Sequence, residues 1–220
     1  MNYLFVVAHP DDELLGAGAT IKKLVDRGDI VSLCIMSSMV EARNGKSANL
    51  SKEIKLVSQK LGISQLFLGS FPNLKMNTVE HIQLVKYIEE CILKSGADAI
   101  FTHHPSDLND DHRCTSCAVQ SASRLFQRSE EPQKLIMFAF FEVLSSTDWS
   151  FADSFKPNLF LEIGEEGLNF KIETLKEYQG VIRKYPHSRS VESIRGLAAI
   201  RGSQAGCKYA EAFECVFRIL

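Results

Sequence analysis

The sequence predicts an α/β fold with a Rossmann-like, mostly parallel sheet and helices on both of its faces. Short apolar runs alternate with amphipathic helical segments through the first half of the chain. This alternation is typical of βαβ units, whose right-handed crossovers place parallel strands side by side. The 220 residues contain no repeat, low-complexity tract or linker rich in Gly, Ser or Pro, so we expect a single domain over residues 1–220.

Strands and helices alternate in the first half of the chain. Continuous apolar runs indicate strands at Tyr3–Val7, Ile30–Met36, Gln65–Leu68 and Ala97–Phe101. Apolar residues at helical spacing indicate helices from Leu14 to Gly28 and over Lys52–Leu61, Thr78–Leu93 and Arg113–Phe126.

The second half of the chain is less regular. Leu135–Val143 is predicted as a long apolar strand and Leu159–Ile163 as a short one, with the loop Ser145–Pro157 between them. Two further helices are predicted near Leu168–Gln179 and Val191–Arg201. We expect this half to wrap around or extend the same sheet.

The composition excludes several classes of protein. A net charge of −2 gives no basic surface for a polyanion, so we expect no nucleic-acid partner. The start of the chain lacks a basic leader, and no apolar run approaches the ~20 residues of a membrane-spanning helix. The six cysteines lack the paired spacing of a disulfide scaffold, which predicts reduced thiols and a cytoplasmic location. Cys114 and Cys117 are expected to pack on a helix rather than to form half of a zinc or redox site.

Two polar clusters follow predicted strands. Ala8–Glu13, with the sequence Ala-His-Pro-Asp-Asp-Glu, follows the first strand, and His103–His112 follows the fourth. Active sites of open α/β sheets lie at the carboxyl ends of strands, where these clusters are expected. Imidazoles and carboxylates together suit a divalent metal such as zinc. The alternative for the first cluster is a helix start, since acidic side chains are favourable near the positive end of a helix dipole.

Three residues are candidate metal ligands. His9 and Asp12 are three positions apart and could converge on one ion, and His112 would complete the set from the other cluster. Three protein ligands leave a position for water, which is typical of a catalytic site. Asp11 would then suit a general base. Asp111 could orient a ligand from outside the coordination sphere, or it could be the N-cap of a helix.

The two clusters together resemble the motifs of the PIG-L/LmbE-like (GlcNAc-PI de-N-acetylase-like) metal-dependent deacetylases. The resemblance rests on Ala8–Glu13 paired with Asp107–Arg113, which has the sequence Asp-Leu-Asn-Asp-Asp-His-Arg. It extends over essentially the whole chain, through Glu142–Trp149, Pro186–Ser190, Arg201–Gly206 and Tyr209–Phe213. In the Asp-Leu-Asn form of the second motif and in the segment Ser145–Trp149, the sequence looks most like members from bacterial surface-polysaccharide gene clusters.

The resemblance implies a hydrolase that removes the acetyl group from a GlcNAc-type sugar, free or linked to a nucleotide or a lipid. His9, Asp12 and His112 match the metal ligands, and Asp11 matches the general base. The implied metal is Zn²⁺, with Fe²⁺ as the alternative. A water activated by the metal would attack the acetamide carbon. The sequence leaves the oligomeric state open, a homo-oligomer included.

The chain departs from the family pattern at Asn109. Many members carry a histidine there, which donates to the oxyanion, whereas an asparagine can donate a hydrogen bond but no catalytic proton. Either Asn109 has the electrostatic role alone, or His103, His104 or His187 supplies the proton. His104 is the preferred candidate at the substrate, because it ends the fourth predicted strand, with a buried structural histidine as the alternative.

The substrate contacts are less well defined. Arg43 lies in the loop 37–49 and could bind sugar hydroxyls or a phosphate, or it could be a solvated charge. Trp149 and nearby phenylalanines could form a wall for a sugar or simply pack on the domain. Two other functions stay open: an amidase that acts on another amide conjugate, and a non-catalytic carbohydrate-binding subunit.

Overall fold

Among the residues that the computed structural model describes, which are 1–39, 47–128, 134–151 and 154–220, seven strands form one sheet. Their order is β3-β2-β1-β4-β5-β7-β6. The strands are β1 (Asn2–Val7), β2 (Ile30–Ile35), β3 (Gln65–Leu68), β4 (Ala99–His103), β5 (Met137–Phe141), β6 (Leu159–Glu162) and β7 (Ala210–Arg218). The first five strands are parallel, and β7 is antiparallel to both β5 and β6. The predicted α/β class with a mostly parallel sheet is confirmed.

Helices cover both faces of the sheet, as predicted. The helices are α1 (Asp12–Asp26), α2 (Ser47–Leu61), α3 (His81–Ser95), α4 (Asp110–Ala122), α5 (Gly164–Leu175) and α6 (Val191–Ala205). Side chains alternate along β1, so Phe5 joins the apolar cluster under α1, α2, α5 and α6, while Val6 joins the cluster under α3 and α4. The sheet is therefore buried on both sides.

The strand order places the two polar clusters next to each other. From β1 the chain runs outward through β2 and β3, and it then returns to β4 on the other side of β1. The strands β1 and β4 pair in parallel, with Phe5 opposite Phe101. Their connections therefore diverge at one point, and a crevice at the carboxyl ends of such strands is where doubly wound sheets bind ligands.

The second half of the chain differs most from the sequence prediction. The strand β7 (Ala210–Arg218) was not predicted, although it lies between β5 and β6 and joins them to the sheet. Glu211 and Glu214 interrupt its apolar character. Glu211 is nevertheless buried, where it pairs with Lys171 at 2.7 Å. The predicted strand Leu135–Val143 is shorter, and only Met137–Phe141 pairs in the sheet.

A break in α1 brings the start of that helix close to the sheet. Ala17 has non-helical dihedral angles (φ −150°, ψ 17°). The amides freed by the break, those of Ala19 and Thr20, donate to the Glu211 carboxylate at 3.2 and 2.7 Å. A Cβ on Gly16 would lie 2.4 Å from Cδ2 of Phe141, so only glycine allows this approach.

Two further expectations concern membranes and cysteines. In the described ranges, no helix has the length and apolar character needed to cross a bilayer. The six cysteines are all free thiols. Cys114 is half-buried and Cys117 is exposed, so the expectation that both are core or half-buried helix residues holds for Cys114 and is wrong for Cys117. It lies on the outer side of α4, which packs on the sheet through other residues.

Candidate metal centre and active site

Three of the predicted ligand atoms form a small triangle at the carboxyl ends of β1 and β4. Nδ1 of His9 lies 3.3 Å from Nε2 of His112 and 3.4 Å from Oδ2 of Asp12. Nε2 of His112 lies 3.2 Å from the same Asp12 oxygen. Asp12 and His112 are buried, while the His9 side chain keeps 12% of its surface exposed. The triangle therefore has one side open to solvent.

The size of the triangle fits a tetrahedral metal ion. Zinc bonds of about 2.0–2.1 Å to nitrogen and oxygen make the edges of a ligand tetrahedron about 3.3–3.4 Å long. The three observed distances, 3.2, 3.3 and 3.4 Å, are close to that edge. The residues present thus fit a metal with three protein ligands and a fourth position toward the open side.

The turn between β1 and α1 fixes two of these ligands. Asp11 adopts a left-handed conformation with φ 99°, which is strained for a residue other than glycine. The amide of His9 donates to Oδ2 of Asp12 at 2.9 Å, and the amide of Asp11 donates to Oε2 of Glu13 at 3.0 Å. All three acidic residues of the motif are buried. They do more than begin a helix, which was the alternative for this cluster.

Each imidazole is oriented by a second carboxylate. Nε2 of His9 lies 2.9 Å from Oδ2 of Asp111, and Nδ1 of His112 lies 3.1 Å from Oδ2 of Asp107. A carboxylate that accepts one N–H of a histidine fixes its tautomer and leaves the other nitrogen for a metal. This is the orienting position predicted for Asp111 from the sequence, whereas no role was predicted for Asp107.

Asp107 and Asp111 are themselves held in place. Oδ2 of Asp107 accepts from the hydroxyls of Ser146 and Thr147 at 2.9 and 2.7 Å. The Asp111 carboxylate accepts from the amides of Leu74 and Met76 at 2.6 and 2.9 Å. The alternative of Asp111 as a helix N-cap is wrong.

The N-cap of α4 is Asn109. Its Oδ1 accepts from the amide of Asp111 at 2.9 Å. The amide NH₂ of this half-buried side chain is therefore the part that remains for a ligand.

The electrostatics of the cluster favour positive charge between the carboxylates. Burial lowers the pKa of His9, but hydrogen bonds to Asp111 and Asp12 outweigh it and raise this pKa to about 9. Burial also opposes the charged form of His112, yet the charge of Asp12 and a hydrogen bond to Asp107 raise its pKa to about 10. A divalent cation would supply the same charge in place of the two protons.

A second group of possible ligands consists of His103, Asp107 and His112. His103 is stacked on His112, with ring centroids 3.9 Å apart, and its Nε2 accepts from the amide of Ala8 at 2.9 Å. All three residues are buried, and Asp107 already accepts two hydroxyl hydrogen bonds. We therefore favour the first group, which keeps an open side. Burial and the charge of His112 lower the pKa of His103 to about 3, so this ring is neutral.

Arg189 contacts the candidate general base. Its Nη1 donates to Oδ2 of Asp11 at 3.2 Å, and its Nε donates to the hydroxyl of Ser145 at 2.8 Å. Ser145 has a positive φ of 78° and follows β5. Arg189 lies in the segment Pro186–Ser190, which is part of the family resemblance, but no role was predicted for it from the sequence. The contact spans 178 positions and could not be seen from spacing.

The other residues predicted for the site lie farther from the triangle of ligand atoms, or they fall outside the residues that the structure describes. Nδ1 of His104 lies 2.7 Å from the Ser106 hydroxyl, and its Nε2 lies 3.3 Å from the Glu214 carboxylate. His187 is exposed. Trp149 is half exposed and packs edge-on against the exposed Phe151. Arg43 falls outside the described residues.

Comparisons with known proteins agree with this geometry. The family model described as GlcNAc-PI de-N-acetylase (PIG-L) matches residues 4–123, which include both polar clusters. An uncharacterized deacetylase of Escherichia coli, YaiS, is 28% identical over 184 residues, covering 80% of this chain and 89% of its own. The diacetylchitobiose deacetylase of Thermococcus kodakarensis is 23% identical over 228 residues, covering 97% and 82%.

The fold agrees with solved structures as well. The conserved protein TT1542 from Thermus thermophilus superposes with a TM-score of 0.82 at 20% identity, covering 100% of this chain and 96% of that protein. At that identity the likeness shows the fold alone. Because the family model spans more than half of the sequence, the protein belongs to the PIG-L family of deacetylases.

Proposed function

We propose that the protein is a metal-dependent de-N-acetylase that removes the acetyl group from a GlcNAc-type sugar. The observation that carries the proposal is the triangle of His9, Asp12 and His112 with the Asp11 carboxylate next to it in the chain. The name of the Thermococcus relative supports an N-acetylated sugar as the substrate class. The seven strands share one sheet, which supports residues 1–220 acting as one domain.

His9, Asp12 and His112 would hold Zn²⁺ or Fe²⁺ in this proposal. When bound, such an ion lowers the pKa of a coordinated water and polarises the amide carbonyl. The hydrogen bonds to Asp107 and Asp111 hold a proton on the opposite nitrogens, so the metal-facing nitrogens are the ones that would bind the ion.

Asp11 would act as the general base. Its carboxylate is buried and held by Arg189 at 3.2 Å, so it has a fixed orientation. After taking the proton of the attacking water, Asp11 would deliver it to the departing amine. Arg189 is the positioning residue for both steps.

Asn109 would stabilise the charge that develops on the carbonyl oxygen. Its Oδ1 is committed to the cap of α4, and its NH₂ group can donate one hydrogen bond to that oxygen. A proton from this side chain is not required if Asp11 serves both as base and as acid. The contacts of His104 with Ser106 and Glu214 favour its structural role over a direct substrate contact.

The rim of the site supports an apolar carrier on the sugar. Leu74 and Leu108, next to the residues that orient the ligands, are 68% and 54% exposed. Trp149 and Phe151 follow β5 at the same end of the sheet and are 52% and 88% exposed. These apolar side chains could contact a lipid carrier attached to the sugar. The free cysteines support a reducing compartment such as the cytoplasm.

The test is acetate release from N-acetylglucosamine conjugates, measured for the wild-type chain, for Asp11→Asn and for a control variant. We expect Asp11→Asn to lose about 10²–10⁴-fold in turnover with unchanged metal content. The matched control is Asp110→Asn, because Asp110 lies near the cluster but pairs with Arg113 at the surface. Retained turnover in Asp11→Asn would refute the base assignment. Release of other acyl groups only, with N-acetyl sugars inert, would refute the substrate class.

A further inference from the structure

The backbone of Asp11 has a conformation that needs support from its surroundings. Its φ of 99° lies in the left-handed region, and such a conformation persists in a residue other than glycine only where the neighbouring contacts fix it. The carbonyl of Asp11 accepts from the amides of Leu14 and Leu15 at 3.1 and 2.9 Å, as expected for the residue that begins α1. These bonds fix the carbonyl side of the residue.

The amide side of Asp11 is fixed by Glu13. The Asp11 N–H donates to Oε2 of Glu13 at 3.0 Å, and the Glu13 side chain is fully buried. The angle φ describes rotation about the bond between this nitrogen and Cα. A fixed N–H and a fixed carbonyl therefore set φ together, and they also set the direction in which the Asp11 side chain leaves Cα.

Tyr178 holds the other oxygen of the same carboxyl group. Its hydroxyl donates to Oε1 of Glu13 at 2.7 Å, and its side chain is fully buried. Tyr178 lies just beyond the end of α5, 165 positions from Glu13 in the sequence. A bond to one oxygen limits the rotation of the carboxyl group, so it keeps the other oxygen aimed at the Asp11 amide.

The segment that carries Tyr178 reaches the Asp11 side chain as well. Arg189, farther along this segment, donates to Oδ2 of Asp11 at 3.2 Å. Val181 and Ser190 are buried and anchor the segment between and after these two contacts. One stretch of chain thus holds Asp11 at two points, at its backbone through Glu13 and at its carboxylate through Arg189.

We propose that Tyr178 and Glu13 are positioning residues for the carboxylate of Asp11. The inference rests on the proposed function, in which Asp11 is the general base. Neither residue touches the reacting atoms, because Glu13 fixes the backbone of Asp11 and Tyr178 fixes Glu13. The alternative is a purely structural role, since a carboxyl group near the start of a helix can cap the first amide and stabilise the helix.

A double-mutant cycle of Tyr178→Phe and Asp11→Asn separates the two roles. Tyr178→Phe removes only the hydroxyl, and we expect kcat for acetate release to fall about tenfold, with KM and metal content unchanged. In the Asp11→Asn background the same substitution should lower kcat no further, because the side chain that it positions no longer accepts a proton. Tyr3→Phe is the matched control, since Tyr3 is also buried and its hydroxyl accepts from Arg27 at the other end of β1.

Hydrogen exchange of the Asp11 amide gives a second measurement that needs no turnover. We expect faster exchange in Tyr178→Phe than in the wild type or in Tyr3→Phe, because the acceptor oxygen of Glu13 is no longer held. Thermal unfolding would verify that Tyr178→Phe folds. If it does not, Glu13→Met, which removes both acceptor oxygens at similar length, replaces it in the same cycle.

Three outcomes would overturn the inference while Asp11 stays the base. They are an unchanged kcat in Tyr178→Phe, an equal loss of kcat in both backgrounds, and unchanged exchange of the Asp11 amide. An equal loss in both backgrounds would show that the hydroxyl only stabilises the fold. Full turnover in Asp11→Asn, or no acetate release by the wild type, would instead refute the proposed function, and this inference with it.

Discussion

The two ends of the sheet differ in the kind of side chain that they bury. At the carboxyl ends, Asp12, Asp107 and Asp111 are buried, and each carboxylate contacts the imidazole of His9 or His112. At the amino ends, the buried surroundings are apolar and the charges of Arg27 and Arg218 stay outside. Buried charges must be compensated, so the carboxyl end is specified by charge and the amino end by shape. Substitutions should therefore affect chemistry at the first end and only local packing at the second.

The largest effect is expected from His112→Ala. Losing one of three ligands leaves Asp12 and Asp107 without their shared positive partner, so the metal content of the purified protein should fall to near zero. Elemental analysis measures this content directly. His81→Ala is the matched control, because His81 lies exposed on α3. Full metal content in His112→Ala would remove the distinction between the two ends.

A smaller effect is expected from Asp107→Asn. The amide keeps the shape but donates poorly oriented hydrogens where a carboxylate accepts from His112, Ser146 and Thr147. Substitution of such a residue typically weakens metal affinity about 10–100-fold. Competition with a chromophoric chelator measures the affinity, and Asp110→Asn should show no change. Unchanged affinity in Asp107→Asn would mean that Asp107 only packs against the cluster.

Glu13, at the carboxyl end of the sheet, is expected to make the free energy of unfolding depend on pH. Burial raises the pKa of Glu13 from 4.5 to about 8. The hydrogen bond from Tyr178 opposes this shift, and the charge of Asp11 adds to it. The folded state therefore holds a proton that the unfolded chain loses near pH 4.5, so this group destabilises the fold as pH rises from there to about 8. The slope is at most about 1.4 kcal/mol per pH unit.

Glu13→Gln removes this titration and keeps the side-chain shape. Its free energy of unfolding should match that of the wild type near pH 4.5 and exceed it increasingly toward pH 8. Urea unfolding at several pH values measures the difference. A constant difference across this range would show that Glu13 is ionised in the folded protein.

The smallest effect is expected at the amino end, from Thr20→Val. Removing a buried hydroxyl that has no hydrogen-bond partner among the described residues should stabilise the protein by about 1 kcal/mol. Urea unfolding gives this free energy, and metal content and acetate release should stay at the wild-type level. A loss of metal in this variant would mean that the two ends are coupled through α1.

The sequence was informative where a pattern is local. Mostly apolar runs predicted the first four strands, since strands buried on both faces are nearly continuous in apolar residues. The motif Ala8–Glu13 indicated His9 and Asp12 as candidate metal ligands, because both lie in one turn. His112 was added on the expectation that the strand before the second cluster neighbours the first strand, and β4 does lie next to β1 in the sheet.

What escaped prediction depends on contacts between distant segments. The strand β7 contains Glu211, whose burial makes sense only beside Lys171 and the broken part of α1. Arg189 reaches Asp11 from a turn near the end of the chain. The sequence alone does not distinguish Asp107 from the acidic residues near it, whereas its contact with His112 in the structure does. Arg43 lies outside the described residues and stays a prediction.

Anomalous diffraction from crystals of the zinc-loaded protein tests the central claim most directly. We predict one peak about 2.0–2.2 Å from Nδ1 of His9, Nε2 of His112 and a carboxylate oxygen of Asp12. A peak between His103 and Asp107, or no ordered peak near these side chains, would contradict it.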